Sequence, residues 1–190
     1  MTAITISRQL GSLGDEVAQA IAERLNFRVV RRELINQAGV RARQPELALA
    51  MINDLGLFSL HPSSRERKAY HRAMQAVMEE LADAGATVIV GRAGQVILQR
   101  RPDVLHVKVF APVEVRVERI AAQQNISLES AHAQVEASDR ARSSFLRRFY
   151  HARWDDPALY DIVINTARLS PEQAACMVGH AVNICQSTKN

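Results

Sequence analysis

Lysine is scarce in this chain. Of 24 basic residues, 21 are arginine, and only Lys68, Lys108 and Lys189 are lysine. None of the three lies near the N-terminal glycine loop in sequence, so a cation serving that loop is expected to be an arginine. Cysteine is scarcer still: Cys176 and Cys185 have a spacing that suits neither a zinc site nor a disulfide framework. No apolar run approaches the roughly 20 residues that span a bilayer. The N-terminus has no basic segment leading into an apolar stretch, so no signal peptide is visible. A cytoplasmic location with no membrane partner is the default expectation. Repeats, low-complexity tracts and linkers are absent, so residues 1–190 are read as one domain.

What is present argues for a folded α/β protein. Hydrophobic residues make up 47% of the chain, enough for a substantial core. Ala3–Ser7 reads as a strand and Leu13–Leu25 as a helix. Phe27–Val30 is extended, and a further helix opens at Arg32. Residues 41–64 are ambiguous between a helix beginning at Pro45 and a broken loop. Ala73, Val77, Met78 and Leu81 mark the apolar face of a helix from Ser64 to Ala84, ended by Gly85. Thr87–Val90 suits a parallel strand covered on both faces. Val104–Phe110 and Tyr160–Thr166 are further strands. Pro112 sits where a proline opens a helix, and Ser127–Phe149 is a long polar helix. Ser170, Pro171 and Gln173 combine an N-cap, an N1 proline and an N3 glutamine before the last helix.

The chemistry begins at the first strand-to-helix turn. Gly11, Ser12, Leu13 and Gly14 form a glycine loop before a helix N-terminus, whose amides lack intrahelical partners at the positive end of the macrodipole. The standard phosphate-binding pattern G-x-x-x-x-G-K-[ST] is incomplete. Gly14 stands at its lysine position, followed by Asp15 and Glu16. Arg8, three residues before Gly11, is the nearest replacement for the charge. Arg92 follows Gly91 at the end of the Thr87–Val90 strand, so both arginines are expected at the carboxyl edge of one sheet, where α/β sheets bind ligands.

A third group spans Arg116, Arg119, Asp139, Arg140, Arg142, Arg147, Arg148 and Arg153. Arg116 and Arg119 share a helix face, as do Asp139 and Arg142. One reading is a solvated helix laced with pairs such as Glu136 and Arg140; the other is an arginine flap closing over a phosphoryl group. The six histidines share no metal-ligand spacing, and His106 inside a strand reads as a core or edge residue. Trp154-Asp155-Asp156 reads as a turn with a packed tryptophan.

Together these stretches resemble the cytidylate kinase-like family of P-loop proteins. The matching residues are Ile4–Ala18, Arg32–Ile35, Val88–Gly94, Arg116–Ile120, Asp139–Arg142 with Phe149 and Tyr150, and Tyr160–Thr166. The resemblance implies a three-layer α/β P-loop kinase-like fold with a parallel five-stranded sheet. It also implies a helical substrate-binding insertion at about 36–84 and an arginine-rich lid at about 120–153. It further implies ATP and Mg2+, with transfer of the γ-phosphoryl group to a nucleoside monophosphate or another small acceptor.

Under that resemblance the amides of Gly11, Ser12, Leu13, Gly14 and Asp15 hold the donor phosphate, and Arg8 takes the lysine's place. Arg92 orients the acceptor phosphate, Arg116, Arg142 and Arg147 form the lid, and Glu16 ligates Mg2+ directly or through water. A nucleotide and a small acceptor are the partners, nucleic acid is disfavoured, and a homodimer is possible.

The chain departs from the cytidylate kinases proper at Gly14-Asp15-Glu16 and at Ala93, where they carry Asp. Kinase-like relatives also lack the lysine and often have a Ser-Arg pair, here Ser7-Arg8. They commonly show Tyr-Asp where this chain has Val30-Arg31, and Leu13 replaces a usual glycine, narrowing the cradle. Two other readings follow from the residues. The missing Lys and Ser/Thr suit a nucleotide-binding module that transfers nothing. The pI of about 9.5 suits a nucleic-acid binder, with Phe145, Phe149, Tyr150 and Trp154 among the arginines, although no recognised motif appears.

Overall fold

A computed structural model describes residues 3–31, 33, 37 and 64–187. Five strands form one parallel sheet: β1 (Ala3–Arg8), β2 (Arg28–Val30), β3 (Thr87–Val90), β4 (Val104–Phe110) and β5 (Ile162–Asn165). Their order is β2-β3-β1-β4-β5, which places β1 at the centre. Among the described residues the helices are α1 (Gly14–Leu25), α2 (Ser64–Ala84), α3 (Gly94–Ile97), α4 (Val113–Gln124), α5 (Leu128–Tyr150) and α6 (Pro171–Ser187). This is the α/β P-loop kinase-like fold. No described helix is long and apolar enough to cross a membrane.

The continuous apolar strands follow from burial on both faces. On one face Ile4, Ile6, Val88, Val107 and Val109 pack with Val17 and Ile21 of α1 and Val178 and Val182 of α6. On the other, Ala3, Ile89 and Val104 pack with Met74, Val77, Met78 and Leu81 of α2. The apolar face expected for α2 is therefore the one it buries. A third cluster joins Val117 and Ile120 of α4 to Ala131 and Val135 of α5.

Local signals set several boundaries. Gly85 ends α2 with φ +70°, a conformation glycine adopts without a Cβ clash. Ser127 caps α5 by accepting from the Ser130 amide at 3.2 Å. Ser170 and Gln173 form a reciprocal capping box: the Gln173 amide donates to Ser170 Oγ at 3.3 Å, and the Ser170 amide donates to Gln173 Oε1 at 2.9 Å.

Three expectations shift. Pro112 occupies the N-cap of α4 with extended backbone and is not its first helical residue. The short helix α3 was not anticipated. The last strand starts at Ile162, not Tyr160, because Pro157–Leu159 makes a 3-10 turn capped by Asp156. Tyr160 there turns its hydroxyl to Trp154 O, at 2.9 Å. The expected helix opening at Arg32 and the ambiguous segment 41–64 lie outside the described residues, apart from Glu33, Gln37 and Ser64.

Candidate functional site

Four adjacent strands each bring a cation to the carboxyl edge of the sheet. In the order β2, β3, β1, β4 these are Arg31, Arg92, Arg8 and Lys108. Parallel strands run the same way, so all four side chains start from one end of the sheet. Ligands of open α/β sheets bind outside that end.

The loop between β1 and α1 faces this row. Gly11 has φ +77°, and a Cβ there would lie 2.8 Å from Arg116 O, so this position requires glycine. Leu13 is the N-cap of α1 in the left-handed region, with φ 55°, and no side chain caps the helix. The N-caps of α3 and α4 likewise make no side-chain bond, whereas α5 and α6 are capped; the first amides of α1 are open to an external acceptor. Ser12 is fully buried, and its hydroxyl donates to Gln9 O at 2.9 Å. It fixes the loop and does not project from it.

Arg8 lies across the mouth of this loop. A Cβ on Gly14 would collide with Cβ and Cγ of Arg8, and one on Gly91 would lie 2.7 Å from Arg8 Nη1. Two glycines therefore make the channel that the arginine occupies. Its Nε stands 3.4 Å from Asp15 Oδ1. Arg31 reaches the same residue, with Nε 3.7 Å from Asp15 Oδ1 and Nη2 donating to Asp15 O at 3.3 Å. Both Nε atoms are buried and make no hydrogen bond among the described residues. Buried donors without acceptors cost roughly 1–3 kcal/mol each, a cost that an oxygen-rich anion in the mouth would relieve. These features fit a phosphate chain.

The Arg116 and Arg119 pair braces the loop from behind. Arg116 is 1% exposed and forks onto Asp139, with Nη2–Oδ2 at 2.8 Å and Nη1–Oδ1 at 3.2 Å. It also donates to Ala111 O and Leu10 O. Arg119 donates to Gly11 O and to Thr166 O, at 3.2 and 2.7 Å. Arg116 was expected on a mobile lid; the structure instead makes it a buried clamp between α4, α5 and the loop. Asp139 pairs with it across helices. Arg142 is half-buried and Arg147 exposed on α5, while Glu136 and Arg140 form the expected exposed pair at 3.1 Å.

Gly91, Arg92 and Ala93 all have left-handed backbone, with φ 81°, 55° and 59°. For the two non-glycine residues this costs roughly 1–2 kcal/mol each. The strained turn places half-buried Arg92 just beyond β3, beside the buried cluster of Ala93, Trp154 and Leu159.

Glu16 is exposed in the first turn of α1, and Asp15 is occupied by the two arginines. No group of three or more metal-ligating side chains occurs among the described residues. A divalent cation would be held by Glu16 together with phosphate oxygens, as suits magnesium.

Sequence reasoning missed Lys108. It precedes the end of β4 by two residues and pairs with Ser7; only sheet pairing brings it to the site. Trp154 Nε1 donates to Ser7 Oγ at 2.9 Å, and Lys108 Nζ donates to Trp154 O at 3.0 Å. The expected turn with a packed tryptophan is thus present and holds the edge of the site together. Arg31 was noted only as a departure from its relatives, and Arg119 only as a helix neighbour of Arg116. His106 lies in the core as expected, with Nδ1 2.7 Å from Thr5 Oγ1. Burial lowers its pKa, against the opposing charge of Asp161. A cavity of about 460 Å3 between α2, α3 and the end of α5 includes His71, Glu79 and Arg101 and none of the cation row.

Known proteins share this plan. A cytidylate kinase of Methanocaldococcus jannaschii is 30% identical over 183 residues, covering 95% of this chain and 97% of that protein. A solved structure of an uncharacterized protein from Eubacterium ventriosum superposes with a TM-score of 0.74 at 19% identity, covering 96% of this chain and 99% of that one. A gluconokinase from Sinorhizobium meliloti superposes with a TM-score of 0.58 at 14% identity, covering 100% and 98%. The model of the cytidylate kinase-like family matches residues 3–168, and the chain belongs to that family.

Proposed function

We propose that this protein transfers the γ-phosphoryl group of ATP, with Mg2+, to a nucleoside monophosphate or another small anionic acceptor. Family membership supports a nucleotide kinase-like function. The observation that carries the reading is the row Arg31, Arg92, Arg8 and Lys108 above an uncapped helix N-terminus. Phosphoryl transfer needs positioning and neutralisation of charge on oxygens, which such a row supplies.

The residues divide the work by position. Amides of the loop from Gly11 to Asp15 bind the donor phosphates, and the positive end of α1 favours their charge. Arg8 turns its unsatisfied Nε and its fork onto phosphate oxygens, where a P-loop lysine would otherwise reach. Its pairing with Asp15 is partly exposed, at 25% and 53%. Such pairs are worth about 0–1 kcal/mol, so an incoming phosphate displaces it readily. Arg92 orients the acceptor's anionic group, and Arg142 and Arg147 close over the site from α5. Arg116 acts by holding the loop. Bound magnesium would neutralise charge on the donor oxygens, with Glu16 as its protein ligand.

Calorimetric titration with ATP and adenosine, followed by a transfer screen over nucleoside monophosphates, tests the reading. ATP is expected to bind far more tightly than adenosine and to be consumed with one acceptor. Equal, undetectable binding of both at millimolar concentration overturns it. Tight ATP binding without transfer to any acceptor assigns the chain to the degenerate class, for which the missing Lys and Ser/Thr argue.

A further inference from the structure

We propose that Lys108 is a second acceptor-side cation of this site beside Arg92, its ammonium held near the rings of Trp154 and Tyr160 to bind the anionic group of the acceptor. The inference deepens the phosphotransfer reading and rests on it.

The argument begins with strand register. Ser7 pairs with Lys108 and Arg8 with Val109. Successive residues of a strand point to opposite faces. Ser7 and Lys108 therefore share the face of Thr5 and His106, which is the face covered by α2. Arg8 points to the other face, against Gly14 at the start of α1. The two cations thus approach the sheet edge from opposite sides of β1 and β4. Arg8 serves the loop; Lys108 lies on the opposite face, the one α2 covers, away from the loop that takes the donor phosphates, and is assigned to the acceptor.

The surroundings of Lys108 hold a charge in place. Nζ lies 5.3 Å from the centre of the Trp154 ring and 5.2 Å from that of Tyr160, within cation–π range. Tyr160 is in turn fixed by the Gln95 amide, which donates to its hydroxyl at 3.3 Å. Burial lowers the lysine pKa, while Asp155 and Asp139 favour the charged form. An ammonium has three donors, and among the described residues Lys108 uses one, on Trp154 O. Two remain for acceptor oxygens. A residue needed only to fill this edge would cost less as methionine, because a half-buried ammonium carries a desolvation penalty.

The test compares wild type with Lys108→Met, Lys108→Gln and Lys108→Arg by titration with CMP, cytidine, inorganic phosphate and ATP. Thermal melts identify any variant that fails to fold. In wild type, CMP is expected to bind at least tenfold more tightly than cytidine. In Lys108→Met and Lys108→Gln, CMP binding should weaken roughly tenfold or more, cytidine should be unaffected, and ATP should change less than twofold. Lys108→Arg should recover part of the loss, which a purely structural role at Trp154 O would not predict for CMP alone. Lys108-dependent binding of inorganic phosphate without CMP binding also supports the role and points to a different phosphate-bearing acceptor.

The proposal is overturned if CMP and phosphate binding are the same in wild type and the neutral variants, or if ATP binding falls as much as CMP binding. Wild type that binds neither CMP nor phosphate overturns it even if every variant unfolds. Failure of the broader reading appears separately, as wild type that does not bind ATP.

Discussion

Arg8 Nε and Asp15 Oδ1 stand 3.4 Å apart without a hydrogen bond between them. The pair is close enough for attraction and too poorly aligned to satisfy the donor. A guanidinium held this way is ready for a better acceptor, which under the proposed function is a phosphate oxygen at the helix amides beside it.

Arg8→Ala is accordingly expected to slow phosphoryl transfer about 30- to 1000-fold, the loss of roughly 2–4 kcal/mol of transition-state stabilisation. Its melting temperature should stay within a few degrees of wild type, since the arginine makes no strong internal bond. Arg8→Lys should recover only part of the rate, because an ammonium lacks the fork that contacts two oxygens. Steady-state rates beside thermal melts measure both. A variant Arg8→Ala as fast as wild type would mean that another cation of the row carries the charge.

Asp139 and Arg140 are neighbours in sequence with opposite expected consequences. Asp139→Ala strands the buried Arg116 charge, a change of the kind that costs about 3–5 kcal/mol; with Asp139 27% exposed, the lower end of that range is expected. Arg140→Ala removes an exposed partner of Glu136 and should change stability by less than about 0.5 kcal/mol. Urea unfolding of the two variants separates a clamp from a surface pair. Equal, small effects would remove Arg116 from its positioning role.

His106 should make stability sensitive to mild acid. Its folded-state pKa lies below the ordinary 6.5 because burial disfavours the imidazolium. Above pH 6.5 both folded and unfolded states hold it neutral and no stability is lost. As the pH falls below 6.5 the unfolded chain takes up the proton first, so stability declines until the folded pKa is passed. Urea midpoints between pH 8 and 5 should show this fall in wild type, and His106→Gln should flatten it. A wild-type curve unchanged by that substitution would assign the acid limb to other groups.

The sequence by itself determined most of the described elements and the loop, but not the short helix α3 or the start of β5. Its β-branched runs, helix periodicity and caps act between residues a few positions apart, so Thr87–Val90, Val104–Phe110 and Ser64–Ala84 were read with their observed bounds. The glycine loop and the strand-end positions of Arg8 and Arg92 were legible for the same reason. Only the tertiary structure decided which cations meet. Lys108 is 100 residues from Arg8 in the chain, and the pairing of β4 with β1 brings it beside Ser7. Arg116 carries the same sequence signal as a lid arginine; its burial against Asp139 and the carbonyls of Leu10 and Ala111 makes it a clamp. Local interactions set backbone conformation, whereas charge pairing and solvent exclusion depend on strand order and helix packing between distant segments.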